Sequence, residues 1–265
     1  MRAILCLDPP ESRRLIARAV AALDEVVQAR RSGTIIVANG VTNAYVAEEL
    51  LGRRLEEKCL FAAGLVADGR LCLSPEKERL PALVLRQGEP ASVPWTEALD
   101  GFGAGDVFIK GGNALDPQGA VGVFMAHERG GTVGAALGTL RARGSHLVMP
   151  VGLEKLVPSV PAAAALLGTR VLDLSHGLKV GMMVVVGARV VTEAVALERL
   201  FGVNAVHAAS GGVGASQGAV VLAIDGEERA VRAAFEYVSA LKGEEPPAIR
   251  REDCAACGRG CEWRG

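Results

Sequence analysis

Three thiols in eight residues, Cys254, Cys257 and Cys261, are the densest chemical signal in this chain. Thiolates at that spacing, around a Gly258-Arg259-Gly260 turn, can close on one metal. Tetrahedral zinc and a four-iron cluster each take four ligands. The motif therefore leaves one position to a distant cysteine, a histidine, an exogenous ligand or a residue of another chain. A flexible, reduced tail is the bland alternative. Cys6, Cys59 and Cys72 stand among apolar neighbours and read as small buried hydrophobes.

A second group of residues suits anions. Lys110-Gly111-Gly112-Asn113-Ala114-Leu115-Asp116 combines a cation, glycines that let backbone approach a ligand, an amide and a carboxylate. Lys110 can pair with a phosphate or carboxylate, or form a Schiff base if its pKa is lowered. A surface lysine paired with Asp116 in a turn is the plain reading. Asn39-Gly40-Val41-Thr42-Asn43 follows an apolar run, Thr34–Ala38, and precedes helically spaced Tyr45, Val46, Leu50 and Leu51. Free N–H groups at such a helix start attract anions, with Thr42 or Asn43 as cap. Gly130-Gly131-Thr132 before Val133–Arg143 is a similar junction, with Thr132 as cap. Ser210–Gly218 is Gly-rich but precedes a strand pattern and lacks Gly-Lys-Ser/Thr, so it reads as a hairpin loop. His176 and His207 have no metal-spaced partner and read as structural.

These loops need elements to hold them. Ala3–Leu7 is extended, and Glu11–Arg31 is patterned as one helix with Leu15, Ala19, Ala22, Leu23 and Val26 inward. Further strands are expected at Leu83–Leu85, Asp106–Ile109 and His146–Pro150. Strands alternating with helices predict an α/β fold with a mostly parallel sheet flanked by helices over 1–158. Over 159–243, paired strands at Val184–Val186, Arg189–Val191, Val203–Ala208 and Ala219–Ile224 meet helices Glu193–Leu200 and Glu227–Lys242. They predict a small α+β domain, with a ferredoxin-like unit as one form and a strand returned to the main sheet as another. Residues 244–265 read as a linker and cysteine-rich tail.

Composition narrows the function classes. The 265 residues carry a formal net charge of −1, which gives no reason to expect nucleic acid or an anionic membrane as partner. No apolar stretch reaches membrane-span length, and Arg13 and Arg14 are not followed by a signal-peptide core. A cytoplasmic location is the expectation, and a homo-oligomer stays open.

Two stretches resemble ribose-5-phosphate isomerase of the A type. They are also similar to its wider superfamily, which includes glucosamine-6-phosphate deaminase and the CoA transferases. The first is the N-terminal helix with Gly33–Gly52, which looks like the family's helix, strand and phosphate loop. The second is Asp106–Val157, which reads Lys110–Asp116, then Gly130-Gly131-Thr132-Val133-Gly134-Ala135-Ala136-Leu137, then Glu154-Lys155-Leu156-Val157. It looks like the family's acidic loop, Gly-rich turn, helix and Lys-Leu-Val strand end. The resemblance implies a pocket at the C-terminal edge of the sheet. It also exposes a departure. The isomerase has carboxylates where Lys110 and Asn113 stand, and a glutamate near Gly138-Thr139. Only Asp116 stays acidic in the loop, and neither lysine nor asparagine replaces a carboxylate base at neutral pH.

The sequence thus predicts recognition, with or without transformation, of a small anionic metabolite such as a phosphosugar, CoA ester or carboxylate. Asn39, Gly40, Thr42, Asn43, Gly111, Asn113, Gly131 and Thr132 are the expected ligand contacts. Lys110 and Asp116 are the expected groups for charge stabilisation and proton transfer. Cys254, Cys257 and Cys261 are expected to hold zinc or an iron–sulfur cluster. The competing reading is a non-catalytic sensor or interaction module whose cysteine tail binds metal or a partner.

Overall fold

A computed structural model describes residues 1–254 and residue 257. Strand β1 (Arg2–Leu7) leads into α1 (Pro9–Ala21), opened by Pro9-Pro10 and by Glu11, whose carboxylate accepts the Asp8 N–H at 2.9 Å. A separate α2 (Asp24–Ser32) follows. The single helix expected over Glu11–Arg31 is therefore two. Leu23 leaves the helical region at ψ 140° and drops its side chain into the core. Asp24 and Glu25 then favour a new helix start, where carboxylates meet the positive end of the dipole.

Strand β2 (Thr34–Val37) and α3 (Val41–Leu51) come next. After them come hairpin β3 (Gly64–Ala67) and β4 (Arg70–Leu73), then β5 (Leu83–Arg86), β6 (Glu89–Pro90) and α4 (Trp95–Asp100). Strand β7 (Val107–Ile109) precedes β8 (Ala114–Leu115), β9 (Val121–Met125), α5 (Gly131–Arg143) and β10 (His146–Pro150). Then follow α6 (Val160–Ala165), β11 (Gly181–Val185), β12 (Arg189–Val191) and α7 (Glu193–Phe201). The last elements are β13 (Asn204–Gly211), β14 (Ala219–Asp225) and α8 (Glu228–Ala240).

The fold is α/β around a mixed six-stranded sheet of order β12-β10-β7-β2-β5-β6. The first four strands of that order run parallel, and β5 and β6 are added antiparallel. Strands β2, β7 and β10 are short apolar runs with Ile35, Ile36, Phe108, Ile109, Val148 and Met149 fully buried, as expected of parallel strands covered on both faces. Two smaller antiparallel sheets, β1-β14-β13 and β11-β9-β8, complete the framework. Three pairings cross the expected boundary at 158: β12 joins β10, β11 joins β9, and β1 joins β14. The Gly-rich segment 210–218 turns β13 into β14 as a hairpin.

Candidate functional site

The parallel strands all end on one edge, and the loops beyond that edge carry most of the polar chemistry. Such an edge is where open α/β sheets bind ligands. The Asn39–Asn43 loop leaves β2 there, and Lys110–Gly112 leaves β7 beside it, since β2 and β7 pair through Val37 and Ile109. Asn43 joins the two. It is fully buried, and its Nδ2 donates to the Ala38 carbonyl at 2.6 Å and the Ile109 carbonyl at 3.3 Å. Gly40, rather than Thr42 or Asn43, is the residue that caps α3. The Asn43 side chain turns back to bind the strand ends, so it serves as a clasp across β2 and β7. Asn39 is engaged likewise, donating to Phe61 O at 3.1 Å and Leu80 O at 2.9 Å.

Helix α5 starts at Gly131, one residue before the expected cap Thr132, because Gly130 takes the left-handed conformation (φ 80°) that sets the helix direction. Its first turn covers Lys110, which shares a crevice of about 10 Å³ with Val133 and Leu137.

Two expected residues are placed away from this arrangement of charges. Asn113 is exposed, and its Oδ1 accepts the Phe124 N–H at 3.0 Å across the β8–β9 hairpin. Asp116 is buried and accepts three backbone N–H groups, from Gln118, Ala120 and Val160, at 3.1, 2.9 and 3.0 Å. These bonds, first that from Val160, hold its carboxyl below the usual range. Both oxygens accept backbone N–H groups, Oδ1 closing the turn and Oδ2 tethering α6, which gives Asp116 a structural role.

The cations are better placed. Lys110 Nζ donates to Gly111 O at 3.2 Å, and Lys155 Nζ donates to Gly112 O at 3.1 Å. The nearest carboxylate oxygen to Lys155, Glu154 Oε1, is 3.8 Å away. Burial, then repulsion from Lys155, pulls Lys110 down to about 8. Burial also lowers Lys155, against the attraction of Glu154, and Arg13 on α1 lowers it further. The Arg13 side chain makes no hydrogen bond or ion pair among the described residues. Lys155 is thus repelled by Arg13 and in turn repels Lys110, while the two lysines donate to backbone carbonyls, an arrangement that an anion would relieve.

Carboxylates lie beside Lys155, which both Glu154 and Glu193 attract. Glu193, the first residue of α7, is fully buried, and its Oε2 accepts the Leu153 N–H at 2.9 Å. Burial, then the neighbouring Glu154, raises it to about 7. Ser12 faces the Glu193 carboxyl, and Asn43 Oδ1 and Glu154 Oε2 are buried side-chain oxygens without a hydrogen-bond partner among the described residues. Buried acceptors are normally satisfied, so these two oxygens can still receive donors. A carboxyl poised near neutrality can both give and take a proton. Sequence reasoning missed Arg13, Lys155 and Glu193 as site residues. Lys155 stood inside a quoted motif, but Glu193 looks like any first-turn acid of a helix.

The thiols divide as well. Cys59 is buried, with its Sγ 3.4 Å from the Arg250 N. Cys254 Sγ accepts from Arg70 Nη1 at 3.0 Å. Cys261 lies outside the described residues. Among the described residues, no three ligating side chains already converge on one point, and no helix is long and apolar enough to cross a membrane.

Comparison with protein-family models, with curated proteins and with solved structures found no match to this chain.

One consequence concerns stability. A lysine held at about 8 rather than 10.5 opposes folding wherever it is charged. Lys110→Met should therefore stabilise the protein at pH 7, by about 3 kcal/mol. The unfolded chain keeps its proton between pH 8 and 10.5 while the folded one loses it. Wild-type stability should therefore rise through that window and the variant's advantage should vanish. Urea unfolding of both proteins at pH 7 and 10.5 measures this. An advantage that persists at pH 10.5 would show that charge burial is not its origin.

Proposed function

We propose that this chain binds a small anionic metabolite at the C-terminal edge of its parallel sheet. The observation that carries the reading is the group Arg13, Lys110 and Lys155, three half-buried cations of which the two lysines donate to backbone carbonyls. A phosphate or carboxylate fits that charge and geometry. The Asn39–Asn43 turn and the α3 N-terminus would border the ligand. This edge is where the resemblance to the ribose-phosphate-isomerase and CoA-transferase superfamily puts a pocket, and a phosphosugar, CoA ester or carboxylate is the ligand class. If the protein is an enzyme, Lys110 would stabilise developing negative charge, and Glu193 with Glu154, rather than Asp116, would exchange the proton.

A second reading, a non-catalytic sensor, is favoured by one observation. The crevice beside Lys110, at about 10 Å³, holds no more than a single water. A sensor would open only when its ligand binds.

Inorganic phosphate, ribose 5-phosphate and a CoA thioester should be titrated against thermal unfolding. At least one should raise the melting temperature, by an amount that grows with the logarithm of its concentration. Lys155→Met should weaken that ligand at least tenfold. Equal stabilisation of wild type and of the Lys110→Met/Lys155→Met double variant would exclude this site. No appreciable isomerisation of ribose 5-phosphate is expected, because Lys110 and Asn113 replace the carboxylates. Saturable binding without turnover of any tested compound favours the sensor.

A further inference from the structure

The exit of β7 holds an amine in surroundings that suit a nucleophile. Strand β7 lies inside the parallel part of the sheet, between β2 and β10, and Lys110 is the first residue beyond it. Phe108, Val133, Leu137 and Met149 wall the crevice that Lys110 shares. Its Nζ makes one hydrogen bond, to Gly111 O at 3.2 Å, and no carboxylate pairs with it among the described residues. Lys155 Nζ, held on the neighbouring Gly112 O, acts on it as a like charge. Apolar walls and an adjacent cation are the two conditions that make a lysine a neutral nucleophile. Held at about 8, about a tenth of Lys110 carries a free lone pair at pH 7. The residue is half-buried rather than sealed, so a carbonyl compound can reach it. A second observation points to what approaches. Asn43 Oδ1 is buried without a partner among the described residues, and a Cβ placed on Gly111 would lie 3.5 Å from it and from Pro150 O. Acceptors at that point suit a hydroxyl group and repel a carboxylate.

We infer that Lys110 is a nucleophile that forms an imine with the aldehyde or ketone carbon of a phosphosugar. The inference rests on the anion site proposed above and names its chemistry. The neutral amine adds its lone pair to the carbonyl carbon, and a proton passes from nitrogen to the new alkoxide, which gives a carbinolamine. Lys155, the adjacent ammonium, then donates a proton to that hydroxyl. The C–O bond breaks, water leaves, and the nitrogen lone pair forms the C=N bond. The positive charge thus moves from Lys155 to the iminium, and no oxidant is needed. Arg13 remains for the phosphate, and Asn43 Oδ1 accepts a sugar hydroxyl. The iminium withdraws electrons from the neighbouring carbon, which is how Lys110 stabilises developing negative charge. A CoA thioester would acylate the amine instead, so this chemistry selects the phosphosugar.

The test uses the full chain at pH 7 with glyceraldehyde 3-phosphate, a small phosphorylated hydroxyaldehyde. Sodium cyanoborohydride fixes any imine as a secondary amine, and glyceraldehyde without phosphate is the comparison. Mass spectrometry of the intact chain and its peptides reads the rate at each lysine. Lys110 should be modified at least tenfold faster than the exposed Lys77. It should also react at least tenfold faster with the phosphorylated aldehyde than with the other, and inorganic phosphate should slow it. Lys110→Arg, which keeps the charge but forms no imine, should remove the fast adduct. Lys155→Met, checked for folding by circular dichroism, should slow the adduct at Lys110 at least tenfold. Modification of Lys110 no faster than of Lys77 would overturn the inference. If inorganic phosphate still raises the melting temperature of that unreactive protein, the anion site stands and the imine alone falls. Equal rates with the two aldehydes would overturn the phosphosugar assignment and the anion site with it.

Discussion

Arg14→Met should cost the protein about 3–5 kcal/mol of stability, because it breaks a buried ionic network from its centre. Arg14 is 3% exposed and lies on α1. Its Nη2 pairs with Glu48 and, at 2.8 Å, with Glu244, and its Nη1 pairs with Glu49 at 3.0 Å. Its guanidinium also stacks 4.7 Å from the centre of the Tyr45 ring. Removing it leaves Glu48, at 2% side-chain exposure, to Arg54 and Lys58 at 3.3 and 3.1 Å. The loss should be local as well as global. Glu244 fastens the C-terminal segment to α1 and α3, so that segment should become the first site of proteolysis. Adding Glu48→Gln should restore part of the stability, since the stranded charge is then gone. A denaturant midpoint within about 1 kcal/mol of wild type would show that Arg54 and Lys58 suffice without Arg14.

Glu193 should give the clearest pH signature. Its folded value of about 7 lies above the ordinary 4.5. Between those values the folded chain holds a proton that the unfolded chain has released. The contribution to stability is therefore full below pH 4.5 and is lost as pH rises through 7. The groups that face Glu193 are Glu154, Lys155, Ser12 and the Leu153 N–H. Glu193→Gln keeps an acceptor for Leu153 and removes the titration. Relative to wild type, this variant should gain about 3 kcal/mol between pH 4.5 and 7.5, then level off. Chemical unfolding at half-unit pH intervals measures the difference. A flat difference curve would place Glu193 in a more solvated setting than its burial indicates.

Much of this arrangement was legible in the sequence, for physical reasons. The run Thr34–Ala38, the polar break at Asn39-Gly40 and the helical spacing that follows specify a strand, a loop and a helix without tertiary help. Lys110 announced itself as a cation among glycines. What the sequence withheld depends on long-range placement. Asn43 reads as a cap, yet its amide is spent on Ala38 and Ile109, a use visible only once β7 lies beside β2. Asp116 reads as a free acid, yet three N–H groups converge on it, one of them from Val160 on another element. Glu193 and Arg13 are ordinary helix-start residues until α1 and α7 bring them to one sheet edge. The break at Leu23 escaped because an apolar residue suits a helix face and a buried corner equally well.

The pairing of β1 with β14 has a consequence for synthesis. Leu5 lies opposite Leu222, and Leu7 opposite Val220. On a ribosome β1 emerges well before β14, its partner, since some two hundred residues separate them. Contacts of such long sequence separation form late and carry a large loop-closure cost. The nascent chain must therefore hold β1 unpaired until β14 has been made. The alternation along β1 limits the hazard, since only Leu5 and Leu7 are buried in the finished sheet. Strand β1 is thus fastened late in folding, and its docking completes the three-stranded β1-β14-β13 sheet from which α1 departs.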